Sequence, residues 1–452
     1  MGRLIERMIS SFHRLVLFFG ISLAAFGADA QLVVGAGDSV LAGEPAGIQV
    51  IGLKSGERIR LTAFRTQTGA AGPVLFRAWA EFAAGPDGVV NADTQVPLAG
   101  TYEQVDSRGL FWSGYPDQST EPALKNLKNR TVLIRLERNG AVLASHELRL
   151  RLWNDDIVFT KVETANVSGY FAAPKGANKL PVVITLHGSE GGTFEGTKQD
   201  AGLFASHGFA TLSVIYFAWP YLNTPNVTQG FNNIPVEVIA NSREWLASRT
   251  EADVTRLGLR GVSKGSELAL LAASDYPWVR AVAACVPTSL VWGAFGVNTG
   301  DGAVHSGFSF AGKPLANIPY GDYAPVETGK MTLAVRHRID RKESTPEAVK
   351  AAAIPLEHSS ARFLLAGGGE DDVWPSLEMV QEITARMSKA GKSAAVETLL
   401  FPKAGHYICG TGSSLSRPDK GDATPGGGDA AATAKAAGVV WQKTLAFFRS
   451  AL

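Results

Sequence analysis

The stretch Arg256-Leu257-Gly258-Leu259-Arg260-Gly261-Val262-Ser263-Lys264-Gly265-Ser266-Glu267-Leu268-Ala269-Leu270-Leu271-Ala272-Ala273 decides the fold. Arg256 to Gly261 predicts a short buried strand, and Lys264 to Ala273 predicts a packed helix. Gly261-Val262-Ser263-Lys264-Gly265 falls on the turn between them. A serine on such a turn is held in a strained backbone with its hydroxyl presented, and small flanking residues let strand and helix approach closely. The Lys264 N–H, at the helix N-terminus, faces any anion that develops beside it. The pattern G-x-S-x-G is common by chance, and a glycine-rich turn with an N-capping serine would share it. The flanking strand and helix are what single out a nucleophile.

Outward from this turn, strands and helices alternate. Leu180 to Leu186 and Phe209 to Tyr216 are unbroken apolar runs, as expected of strands buried on both faces of a parallel sheet. Val279 to Val286, Arg362 to Ala366 and Ala395 to Phe401 add three more, with helical patterns at Thr197 to His207, Val236 to Ser248, Pro375 to Ala390 and Ala431 to Leu452. This order predicts an α/β-hydrolase domain with a doubly wound, mostly parallel sheet over residues 157–452. Residues 290–360 break the alternation and are expected to form a cap or lid, and Gly410 to Asp429 a mobile loop. Residues 31–154 read differently. Between Thr131 and Leu152 two alternating runs flank Asn139-Gly140, the strongest short hairpin signal. With no convincing helix nearby, this part predicts an all-β immunoglobulin-like sandwich.

A serine hydroxyl needs a base, and the base an orienting acid, in the chain order Ser, acid, His for this fold. His406 follows the last buried strand and is the candidate base; His305, His337 and His358, in the cap or its exit, are expected at the surface. Gly369-Glu370-Asp371-Asp372 follows the strand Arg362 to Ala366 and supplies the acid. Asp372 is the first choice and Asp371 the second, since Asp371 suits a helix N-cap. The glycine-rich loop His187-Gly188-Ser189-Glu190-Gly191-Gly192 follows the strand Leu180 to Leu186. There the Ser189 N–H is the expected oxyanion donor beside that of Lys264, with Gly188 as the alternative and His187 a packed loop residue.

The 452-residue chain is 45% apolar and 19% charged, with 43 Lys and Arg against 42 Asp and Glu, so no basic excess draws it to nucleic acid. Residues 1–30 combine Arg3, Arg7 and Arg14 with an apolar run from Leu15 to Phe26 and end in Ala28-Asp29-Ala30, which predicts a signal peptide rather than a retained anchor. A periplasmic or secreted protein, without stable membrane insertion once the segment is removed, is the expectation. Two cysteines, Cys285 and Cys409, cannot make a thiolate zinc site and are expected as free thiols near the active-site rim. With no metal cluster or nucleotide fingerprint, no cofactor is expected.

The chain resembles the acyl-CoA thioesterase and bile acid-CoA:amino acid N-acyltransferase family. The residues that carry the resemblance are Thr101 to Asp106 and Gly109 to Ser113 in the first part, then Ser263 to Ala269, Gly369 to Ser376, Ala404 to Ile408 and Gly427 to Phe448. The resemblance implies cleavage of an acyl thioester through Ser263, and it places the acid at Asp372. It further implies hydrolysis over amide formation, because members that conjugate acyl groups to amino acids use Cys where this chain has Ser. An acyl-thioester or ester small molecule is the expected partner. The alternatives are an exported carboxylesterase or acyltransferase that never meets CoA, and an envelope binding protein that keeps the scaffold without turnover.

Overall fold

The computed structural model describes residues 30–69, 72–296, 305–321, 332–414 and 426–452. The expected signal segment lies, but for Ala30, outside the described residues, as does much of the loop expected at 410–429.

The N-terminal part is all β apart from two single-turn helices. One sheet pairs Gln31–Val34, Ile48–Ile51 and Val90–Asn91, all antiparallel. The other runs in the order Ser39–Leu41, Ala141–Arg151, Thr131–Arg138, Arg58–Gly69, Gly72–Ala83 and Ala99–Gly100. The hairpin between Thr131–Arg138 and Ala141–Arg151 turns on Asn139 and Gly140, with φ of 52° and 81°, the positive values that such a turn demands. Alternation puts Ile59, Leu61 and Ala63 of one strand and Val132, Ile134 and Leu136 of its neighbour into a shared core with Ile48, Val50, Tyr102 and Trp112. The Trp112 indole N–H is satisfied inside that core by Asp106 at 2.8 Å.

The second part is built on an eight-stranded sheet. Its order is Ile157–Glu163, Ser168–Pro174, Ala210–Val214, Leu180–Leu186, Ala252–Val262, Val279–Cys285, Arg362–Gly368 and Val396–Phe401. Ser168–Pro174 pairs antiparallel with both its neighbours, and every other pairing in the sheet is parallel. Because both faces are covered, even and odd positions both point into apolar layers. Val182 and Ile184 face the helices Val238–Ala247, Lys264–Asp275 and Ser376–Lys389, whereas Val183 faces Phe194–Ala205 and Ala430–Ala451. Leu180–Leu186 lies between Ala210–Val214 and Ala252–Val262, so the winding reverses there and leaves a crevice at the carboxyl ends of these strands. The strand that leads to Ser263 ends at that crevice.

The helix Ala430–Ala451 is shared by both parts. Ala434 packs into the sandwich core, while Trp441, Leu445 and Phe448 pack with Leu41 and the hydrolase sheet. Arg65 bridges the parts too, donating to the Phe111 carbonyl at 3.0 Å and the Ser413 carbonyl at 2.7 Å.

The cysteines are not free thiols: Cys285 and Cys409 form a disulfide, with Cα atoms 5.8 Å apart across 124 residues of sequence. The cause is the path of the chain after the last strand. It folds back over the sheet end, where Arg260 donates to the Cys409 carbonyl at 2.6 Å and both cysteines pack with Ala366, Ile408 and Val440. Sequence distance concealed that meeting.

Candidate active site

Ser263 has φ 54° and ψ −118°, a conformation that a non-glycine residue holds only when its surroundings impose it. Two glycines permit it. A Cβ on Gly261 would be driven into the Gly265 backbone, and one on Gly265 into the carbonyls of Leu186 and His187. The Ser263 N–H donates to the Cys285 carbonyl of the next strand at 3.0 Å, and the Ser263 carbonyl accepts the Ser266 N–H at 2.9 Å. Strand Ala252–Val262 thus passes into helix Lys264–Asp275 without an intervening loop.

His406 follows the strand Val396–Phe401, and its Nδ1 lies 3.0 and 2.9 Å from the two carboxylate oxygens of Asp371. This corrects the expectation of Asp372. The Asp371 carboxylate is fully buried and accepts the N–H groups of Val373 at 2.9 Å and Trp374 at 3.2 Å and the Ser376 hydroxyl at 2.7 Å. Asp372 is exposed, with its side chain packed on Gly427 and its backbone tied to Gly426 and Ala334. Adjacent residues on a tight turn project to different sides, and the turn that lets Asp371 accept from residues two and three ahead aims its carboxylate inward. Asp371 is not the helix N-cap that was expected, since Pro375 holds that position before Ser376–Lys389; its carboxylate closes the preceding turn and orients His406. Nδ1 bonded to a carboxylate carries the proton, which leaves Nε2 as the basic nitrogen. Among the described residues no hydrogen bond joins His406 to the Ser263 hydroxyl; such bonds are often long in unliganded sites and tighten with substrate.

The loop from His187 to Gly192 lies against Ser263, since a Cβ on Gly188 would sit 3.5 Å from that of the serine. Gly188 commits its N–H to the Glu190 carboxylate at 3.0 Å, and the Ser189 carbonyl accepts the Trp219 indole N–H at 3.1 Å. His187 stacks on Tyr216 with ring centroids 4.3 Å apart, and burial pushes its pKa down to about 4.

Two buried side chains, those of Lys264 and His337, were given no role from the sequence. The Lys264 ammonium is buried and pairs with Glu267 at 2.8 Å, while the other Glu267 oxygen accepts the Trp292 N–H at 2.9 Å. Around Lys264 stand the rings of Phe231 and Trp374, each at 5.1 Å, Tyr320 at 5.6 Å and Phe295 at 5.9 Å. Burial lowers the Lys264 pKa and raises that of Glu267, and each partner's charge opposes the other's shift. The K-x-x-E spacing on the helix was visible, but exposed helix faces show the same spacing. His337 is the second. It is 5% exposed rather than at the surface, between Trp292 and Trp374, and Nδ1 donates to the Leu333 carbonyl at 2.7 Å. Burial pushes its pKa down to about 4.

Residues 43–164 match the acyl-CoA thioester hydrolase/BAAT N-terminal region, and residues 234–452 match the BAAT/acyl-CoA thioester hydrolase C-terminal region. The chain belongs to the acyl-CoA thioester hydrolase/BAAT family. Mouse acyl-coenzyme A thioesterase 2, mitochondrial, is 26% identical over 424 residues, covering 90% of this chain and 86% of the relative. Mouse acyl-coenzyme A thioesterase 5 is 27% identical over 375 residues, and mouse peroxisomal succinyl-coenzyme A thioesterase 26% over 379, each covering 81% of this chain and 82% of the relative. Ser263, Asp371 and His406 of this family member all fall in the C-terminal match, while the His187–Gly192 loop lies in neither. Among its described residues no helix is long and apolar enough to cross a membrane, and no group of His, Cys, Asp and Glu could hold a metal ion.

Proposed function

We propose that this enzyme of thioester or ester hydrolysis cleaves acyl-CoA to fatty acid and CoA through an acyl-Ser263 intermediate. The observation that carries the reading is the buried Asp371–His406 pair at 2.9 Å in a crevice shared with a serine at φ 54°. In the reaction, the Ser263 oxygen attacks the thioester carbonyl as His406 Nε2 takes its proton, and Asp371 stabilises the imidazolium. The N–H groups of Ser189 and Lys264 receive the negative charge on the carbonyl oxygen. The C–S bond breaks, His406 returns the proton to the thiolate, and water repeats the sequence on the acyl-enzyme.

A second reading has its own support. Disulfides persist in oxidising compartments, and Cys285–Cys409 suits the exported protein implied by residues 1–30. An exported enzyme would take an acyl donor other than CoA, as a carboxylesterase or acyltransferase. Two measurements decide. A fluorophosphonate probe should label wild type and not Ser263→Ala, whose turnover should fall roughly 10³-fold or more. Comparing kcat/KM for long-chain acyl-CoA and aryl esters then separates the two readings, and a clear preference for the aryl ester would overturn the CoA assignment.

A further inference from the structure

We propose that the Cys285–Cys409 disulfide is a positioning element of the reaction, holding the histidine loop in register with the nucleophile turn, so that reducing it slows turnover without unfolding the protein. The inference rests on the Ser263–His406 reading above.

Cys285 ends its strand, and its carbonyl accepts both the Ser263 N–H at 3.0 Å and the Ser266 hydroxyl at 2.7 Å. The nucleophile turn therefore rests on this residue. The next residue, Val286, has φ 45°, which a β-branched side chain adopts only under constraint. Two bonds hold it there: its N–H donates to Ala366 at 2.7 Å, and its carbonyl accepts the Trp374 indole N–H at 3.0 Å. Trp374 also donates its backbone N–H to Asp371 at 3.2 Å. One strand end thus supports both the nucleophile and the acid.

The histidine loop has less support. After Phe401, the β pairing found among the described residues of this loop is a single bridge between Ala404 and Gly428. Its other ties include His406 N–H to Gly426 at 2.9 Å and Gly405 N–H to the Thr433 hydroxyl at 3.0 Å. Three residues past His406, the covalent link to Cys285 fixes the loop to the strand end that carries Ser263. Asp371 controls the Nδ1 side of the ring, but where Nε2 points depends on the loop. A displacement of about 1 Å in a reacting group can cost about 100-fold in rate.

Reduction adds two electrons and two protons to the Sγ–Sγ bond and gives two thiols. A phosphine supplies the electrons and, with water, ends as its oxide. Cys409 would then be held by the Arg260 bond and by packing. The test uses the oxidised full chain and an aryl ester, before and after phosphine, with thiols counted in denaturant and far-UV circular dichroism recorded. The expected result is two thiols, an unchanged spectrum, kcat lowered about fivefold or more with KM nearly constant, and recovery on reoxidation by oxidised glutathione. Cys285→Ala/Cys409→Ala should have the lowered kcat and ignore the phosphine. Fully reduced protein that keeps the oxidised kcat overturns the proposal. So does activity lost only in step with the spectrum, which would make the bridge a staple of the fold. Fluorophosphonate labelling keeps the two readings apart: an oxidised chain that fails to label counts against the serine mechanism, whereas equal labelling before and after reduction counts against the disulfide's role alone.

Discussion

Whether Asp371 or Asp372 orients His406 is decided by the phase of one turn. Both follow the same strand, and nothing in Glu370-Asp371-Asp372 tells which carboxylate faces inward. The family resemblance pointed to the outer one. Only the bonds from Val373, Trp374 and Ser376 show that Asp371 is the member aimed at the imidazole. Asp371→Asn should therefore lower turnover by about 10⁴-fold by favouring the wrong tautomer, while Asp372→Asn should stay close to wild type. Steady-state kinetics on the two purified, folded variants checks the ranking. The turn that carries Ser263 was easier to read than the carboxylate that faces His406, because strand, turn and helix all had to be present around it and each left its own pattern.

Among the elements, the strand-to-helix turn and the helix Leu333–Glu343 show opposite limits of sequence reading. The turn is tightly specified: Gly265 stands where any side chain would enter the Leu186 and His187 carbonyls. Gly265→Ala should cost about 1–3 kcal/mol or more of stability and most of the activity, read by urea denaturation and turnover. The helix Leu333–Glu343 contradicts its own hydropathy. It buries Arg336, His337 and Asp340 and exposes Leu333 at 47% and Val335 at 39%. Arg336 and Asp340 pair at 2.8 Å, so the two buried charges offset each other. His337 was expected at the surface because it falls in the segment that breaks the alternation; an amphipathic rule would not have found it either, because it assumes that the inner face is the apolar one. A pH dependence follows. His337 and His187 have pKa values near 4 when folded, below the usual 6.5, so between these values the unfolded chain binds more protons. Stability should be full above about pH 6.5 and fall as the pH drops towards 4. Urea midpoints at pH 7 and pH 5 should show a smaller loss in His337→Phe than in wild type.

At the scale of the whole molecule, the two-part organisation was legible because alternation of period two gives way to buried strands separated by helices. How the parts join was not, since the joining surface belongs to a helix whose pattern suits a single-domain role equally well. One close approach is at Gly43, where φ is 90° and a Cβ would come within 2.7 Å of the Trp441 indole. Gly43→Ala should destabilise by about 2 kcal/mol or more and lower the melting temperature of sandwich and hydrolase together, followed by calorimetry. Two separate transitions, with only one shifted, would show that the helix does not couple them.

That shared helix also sets an order of assembly. Arg65 and the Ser413 carbonyl to which it donates are 348 residues apart, and Ala434 completes a core whose strands begin near residue 31. As the polypeptide emerges from the ribosome, the sandwich has an uncovered flank until nearly everything else has been made. A chain built this way can pack most of the sandwich early, from residues between Val40 and Leu150, and seals its last flank only in a late event.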